Sequence, residues 1–91
     1  MSIESQPDQI HVHVAFPISK EGPYQAGVSL ETTVGTVLTA AMTHFKVQND
    51  SQFTYVLAHD GQEQSGSVTI GAIAGPARAL RFTLVKKITQ G

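Results

Sequence analysis

Residues 24–47, YQAGVSLETTVGTVLTAAMTHFKV, change their apolar spacing in mid-course, and the change decides the fold. Tyr24, Ala26, Val28 and Leu30 recur every second residue, as they do on one face of a β-strand. From Val34 the spacing lengthens. Val34, Leu38, Ala41, Met42 and Phe45, with Val37 alongside, form one stripe of an amphipathic helix. Thr32 or Thr33 supplies a cap, because a threonine oxygen can accept from an orphan N–H of the first turn. Gly35 and the threonines are poor helix formers, so this helix must be stabilised by packing. QNDSQ (48–52) ends it.

Upstream, QIHVHVAF (9–16) alternates cleanly, with Ile10, Val12, Val14 and Phe16 on one face and His11, His13 and Ala15 on the other. PISKEGP (17–23) carries two prolines and a glycine and reads as a turn. The two alternating runs therefore predict a hairpin. Downstream, FTYVLAH (53–59) is a third strand with Phe53, Tyr55 and Leu57 on one face, and His59-Asp60-Gly61 is a turn signal. QEQSGS (62–67) is irregular or a short edge strand. In VTIGAIAG (68–75), Ile70 and Ile73 suit a single helical turn. ALRFTLV (79–85) is the last strand, with Leu80, Phe82 and Leu84 facing inward. A hairpin followed by a helix buries both apolar faces only if the helix lies across the sheet. The last strand is then expected beside the first and parallel to it, since a helix-containing crossover separates them.

The totals exclude several classes. Ninety-one residues make one domain. A content of 41% apolar and 14% charged residues reads as a soluble globule. The net charge of −1 and the scattered Lys20, Lys46, Arg78, Arg81, Lys86 and Lys87 give no reason to expect nucleic acid or an anionic membrane. The chain has no cysteine, which excludes disulfides, thiolate catalysis and iron–sulfur clusters. MSIESQPDQ lacks the basic and apolar segments of a secretory signal, so the cytoplasm is the expected compartment.

Candidate chemistry is sparse, and an enzyme is not expected. His11 and His13 leave one strand face together, a spacing that can chelate a metal, but no third ligand is near in sequence. They read as histidines on a solvated face, and neither metal nor cofactor is expected. HDG at 59–61 reads as a hairpin turn rather than acid–base machinery. GAIAGPARA (71–79) has glycines but no phosphate-binding frame.

The hairpin, the helix opening TTVGTVLTAAM, the strand FTYVLAHDG, the segment VTIGAIAG and the closing LRFTLVKKITQG together resemble the ubiquitin-like β-grasp. The resemblance covers residues 9–91 and is one of pattern and length; it is most similar to the small ubiquitin-like modifiers of bacteria. It implies an α+β fold, a mixed four- to five-stranded sheet with one helix packed across it. Residues 1–8 would form a disordered arm, 9–85 the domain and 86–91 a flexible tail.

The same resemblance implies three roles. A protein modifier would be conjugated through its terminal carboxylate with the help of an activating enzyme, a conjugating enzyme and a processing peptidase, and would be joined to target proteins. A binding module or accessory subunit would use the surface of its sheet. A sulfur carrier would convert its carboxylate to a thiocarboxylate. In the first role Gly91 reacts and Lys86, Lys87 and Gln90 belong to the presenting arm. Extended, residues 86–91 reach about 20 Å at roughly 3.3 Å each. Gln90 stands where such proteins usually carry a glycine, a departure that weighs most against the sulfur carrier. A terminal glycine is also common enough by chance, since 8 of the 91 residues are glycine. A small apolar binding patch would match Ile18 of the first turn with Val56 and Val85 of the outer sheet face.

Overall fold

The computed structural model describes residues 9–88. Their elements are β1 (Gln9–Ala15), β2 (Tyr24–Ser29), α1 (Val34–Phe45), β3 (Phe53–His59), β4 (Gln62–Glu63), α2 (Ile70–Ala74) and β5 (Ala79–Ile88). The five strands form one sheet in the order β2-β1-β5-β3-β4. β1 runs parallel to β5, and the other neighbouring pairs are antiparallel. The expected hairpin, helix, one-turn helix and parallel closing strand are all present. The expectations for residues 1–8, Gln90 and Gly91 lie outside the described residues.

One side of the sheet makes the core. Ile10, Val12 and Val14 of β1, Tyr55 and Leu57 of β3, and Leu80, Phe82 and Leu84 of β5 are buried. Val34, Val37, Ala41 and Phe45 of α1 pack with them, as do Ile70 and Ala74 of α2. Each fully buried aliphatic side chain contributes roughly 1.5–3 kcal/mol, so this cluster is the main source of stability. Among the described residues no polar or charged one is buried. The helix stripe is rotated from the expected one: Leu38 and Met42 are only partly buried, while Val37 is buried. Leu30 also departs from expectation. β2 ends at Ser29, and Leu30 remains 36% exposed where the chain turns toward α1.

The turns follow local chemistry. His59 pairs with Gln62 across Asp60 and Gly61, whose φ values of 53° and 80° make the two-residue hairpin that Asp-Gly favours. α1 ends where Lys46 turns left-handed and its N–H returns to the Thr43 carbonyl. The approach to β3 is fixed by two side chains. Asp50 Oδ1 accepts from the N–H groups of Gln52 and Phe53, both at 2.8 Å, and Asn49 Oδ1 accepts from Tyr55 N–H at 2.9 Å.

The two helices share a start. Thr33 caps α1 by accepting from Thr36 N–H, and Thr69 caps α2 by accepting from Ala72 N–H. The two threonines face each other in an isolated antiparallel bridge. Val34 N–H donates to Val68 O at 2.8 Å, and Ile70 N–H donates to Thr32 O at 2.7 Å. Gly35 N–H donates to Gly66 O, and Gly71 N–H to Leu30 O, both at 2.9 Å. Each helix thus satisfies its first donors on the segment that leads into the other. The approach is close enough that a Cβ on Gly71 would meet Leu30 at 3.0 Å.

Two outcomes follow from these local bonds. Thr33→Ala removes the cap of α1 and should cost about 1 kcal/mol in chemical denaturation, and Thr69→Ala a similar amount. The Asp50 carboxyl is held below its ordinary 3.8 first by the N–H of Gln52, then by that of Phe53, with a smaller pull from Lys86. Because its folded value is the lower one, its stabilisation is complete above 3.8 and disappears as pH falls through the folded value. Asp50→Ala should therefore be less stable than wild type near neutrality, with the gap closing in acid. Denaturation at a series of pH values measures this. Asp50→Asn, which keeps the acceptor oxygen, should lose less at neutral pH than Asp50→Ala.

Candidate functional site

Alternation along the strands puts Val56 and Val85 on the face away from the helices. The register then makes them direct cross-strand partners, both half-buried. Two residues back along β5, Thr83 lies between Ala15 of β1 and Ala58 of β3. A row of small, uncharged side chains therefore occupies the middle of this outer face. Because β1 and β5 are parallel, the turn that follows Ala15 leaves the sheet at the end where Val85 lies. That turn carries Ile18, which is 71% exposed. It is tied down from the helix side: His44 Nε2 donates to the Gly22 carbonyl at 2.8 Å, and the His44 ring packs against Tyr24 and Phe45.

Arg81 lies on the same outer face opposite His13, and Lys87 lies toward the other end opposite Thr54. The row of small residues is thus bracketed by cations. A cross-strand pair of valines contributes at most about 1 kcal/mol to the sheet, so their partial exposure is not required for folding.

The expected tail begins later than residue 86. β5 continues through Ile88, with Lys86 opposite Tyr55, Lys87 opposite Thr54 and Ile88 opposite Phe53. Alternation sends the two lysines to opposite faces, and each meets a partner. Lys87 Nζ lies 2.7 Å from Glu63 Oε2 on the outer face. Lys86 Nζ sits 4.1 Å from the centroid of the Phe53 ring on the helix side. Phe53 is only half-buried there, because the core cluster does not extend over this end of the sheet. Such exposed contacts are weak singly, about 0–1 kcal/mol each. Together with the ladder they hold Lys86 and Lys87 on the body, within β5. The sequence hid this because a strand end that leaves the core turns polar, as a tail does. Glu63 and Phe53 were not singled out as partners, since nothing in spacing links them to the lysines.

The turn motif at residues 59–61 forms no acid–base site. His59 Nδ1 donates to the Arg81 carbonyl at 3.1 Å, and its Nε2 lies 3.5 Å from Asp60 at the exposed hairpin turn. No group of three or more His, Cys, Asp or Glu residues converges among the described residues. Two surface depressions are small. One of about 160 Å³ is bordered by Gln9, Leu30 and Arg78, and one of about 200 Å³ by His13, Phe16 and Glu21. Both fall below the roughly 300 Å³ at which small-molecule sites begin. No helix among the described residues is long and apolar enough to cross a membrane.

No protein-family model matches the sequence, and no curated protein matches it. Solved structures do match in shape. Ubiquitin of Caldiarchaeum subterraneum superposes with a TM-score of 0.72 at 22% identity, over 91% of this chain and 99% of that one. ATG8 of Trypanosoma brucei gives 0.70 at 14% identity, over 94% and 79% of the two chains. A protein from a structure described as molecular mimicry of SUMO that promotes DNA repair gives 0.66 at 12% identity, over 88% and 94%. The fold of this chain is the ubiquitin-like β-grasp.

The strand end can be tested directly. Glu63→Gln removes the carboxylate that Lys87 meets, and should speed amide exchange of residues 85–88 a few-fold, equivalent to about 0.5–1 kcal/mol of local opening. Exchange at Val12 and Leu57, in the core, should stay unchanged. Identical exchange at residues 85–88 would mean that the ion pair holds nothing.

Proposed function

With the ubiquitin-like β-grasp as its frame, we propose that this protein is a modifier conjugated through the carboxylate of Gly91. The observation that carries the reading is the fold itself, which matches ubiquitin and ATG8 structures over most of both chains. That likeness favours chemistry through a terminal carboxylate over chemistry on the body.

The protein supplies an acyl group and partner enzymes supply catalysis. In an activating enzyme the Gly91 carboxylate oxygen attacks the α-phosphorus of ATP, releasing pyrophosphate and leaving an acyl-adenylate. A cysteine thiolate of the enzyme then attacks the acyl carbon and expels AMP. An amine or hydroxyl of a target protein finally displaces the thiolate, directly or after transfer to a conjugating enzyme. Glycine suits the reacting position because, with no Cβ, it threads a narrow channel and tolerates unusual backbone angles. Gln90 carries a side chain at the next position, which calls for enzymes whose channel accepts it. Those enzymes must also approach the body closely, since three residues beyond Ile88 extend at most about 10 Å. A processing peptidase would act on any residues beyond Gly91, and the cytoplasm is the setting proposed for all of these steps.

A second reading is a binding module that never reacts. It is favoured by the pairing of Val56 with Val85 on the outer face, beside the turn that carries Ile18. The sulfur carrier is third, because of Gln90.

Intact-mass spectrometry separates the three. The wild-type chain and one lacking Gly91 are each expressed with an adenylating enzyme from the same genome. The modifier reading expects adducts of higher mass with the wild type alone. A gain on the free protein equal to replacement of oxygen by sulfur would identify a carrier. An unchanged mass would favour the binding module, and Val56→Asp or Val85→Asp would then be expected to abolish partner capture.

A further inference from the structure

We propose that the outer face of the β1–β2 hairpin binds one divalent transition-metal ion through His11 and His13, with Gln25 as a third, oxygen donor. The two histidines are one residue apart on a regular strand, so their Cα atoms are about 6.6 Å apart and both side chains leave the same face. Two imidazoles that rise from such positions can converge on one ion. Alternation alone permits this on many strands. Here the local packing adds two further features.

First, the residues beside His11 in register are small, Gly27 on β2 and Ala79 on β5, with the Gln9 amide lying over Gly27. Second, the His11 ring is already joined to the row of His13. His11 Nε2 lies 3.0 Å from Gln25 Oε1, and Gln25 is the cross-strand partner of His13, not of His11. One diagonal contact therefore links the His11 nitrogen to a side chain that lies opposite His13 in register. In the metal-free chain Nε2 donates its proton to Gln25. On binding, that ring takes the Nδ1–H tautomer, its Nε2 lone pair goes to the ion, and the Gln25 oxygen turns from accepting a proton to ligating the metal.

The surroundings set the strength. Glu21 borders the same depression as His13 and favours a cation there, while Arg81, opposite His13 on β5, opposes it. Imidazole donors select zinc, nickel or copper over magnesium or calcium, which prefer all-oxygen ligands. Two imidazoles and one amide oxygen leave coordination positions to water or to a donor from another molecule.

The experiment is a titration of the full chain, without an affinity tag, with Zn²⁺, Ni²⁺ and Mg²⁺, followed residue by residue through its backbone amide resonances. Saturable changes are expected with zinc and nickel, centred on residues 10–14 and 24–26, and none with magnesium. His11→Asn and His13→Asn should each weaken binding at least about tenfold, whereas His59→Asn should change it less than about twofold. The absence of saturable change with both zinc and nickel would overturn the proposal. So would equal affinity in a chain carrying both His11→Asn and His13→Asn, or wild-type changes centred on another part of the molecule. The wild-type map does not depend on how well the variants fold.

Discussion

The bridge between Thr33 and Thr69 is the joint on which the rest of the molecule depends. It lies where two helices begin, at the points where each has donors without partners inside the helix. Val34 and Gly35 donate to the segment before α2, and Ile70 and Gly71 donate to the segment before α1. Neither helix start is satisfied without the other. A short helix such as α2, five residues long, has little stability of its own. Its start is held by a helix far away in sequence, and its Ile70 then fills the core beside Phe82 and Leu84. The same joint fixes where the chain re-enters the sheet. After α2 the backbone reaches Arg78, whose carbonyl accepts from His11 N–H at 3.0 Å, and β5 begins alongside β1.

From that entry point β5 runs between β1 and β3, and it is the strand that makes two halves into one sheet. Its inward residues Leu80, Phe82 and Leu84 are buried to 5% exposure or less, whereas its outward residues Thr83 and Val85 form the row of small side chains. One strand thus supplies both the centre of the core and the centre of the face proposed for partners. Its last three residues leave the cover of the core cluster, and there the ladder is supplemented by an ion pair and a cation over an aromatic ring. The end of β5 is therefore held by surface contacts rather than by the core.

Much of this was legible in the residues. The switch in spacing at Val34 gave the helix, Asp60-Gly61 gave the hairpin turn, and the alternation of residues 79–85 gave the closing strand. What was illegible was set by partners distant in sequence. Periodicity could not show that Lys86 and Lys87 remain in the strand, because polar residues continue a strand wherever a neighbour pairs with them. It could not show that Leu30 leaves its strand, because Gly71 and the start of α2 decide where the chain turns. The stripe of α1 is shifted toward Val37 and away from Leu38 and Met42, since which side of an amphipathic helix is fully covered depends on the sheet it meets. At the candidate site, Val56 and Val85 could be placed on a face by alternation, but only register could make them partners. The diagonal contact of Gln25 with His11 had no signal in sequence, since the two belong to different strands.

The central position of β5 also has a meaning in time. The strand that fills the middle of the sheet is the last of the seven elements in chain order. While the polypeptide is being synthesised, β1 with β2, and β3 with β4, can form as two separate hairpins. Each then exposes an unpaired inner edge and an apolar face, which are templates for unwanted pairing. Nothing before residue 79 can close that gap. The nascent chain therefore stays adhesive until β5 emerges, and the arrival of that one strand removes two open edges at once.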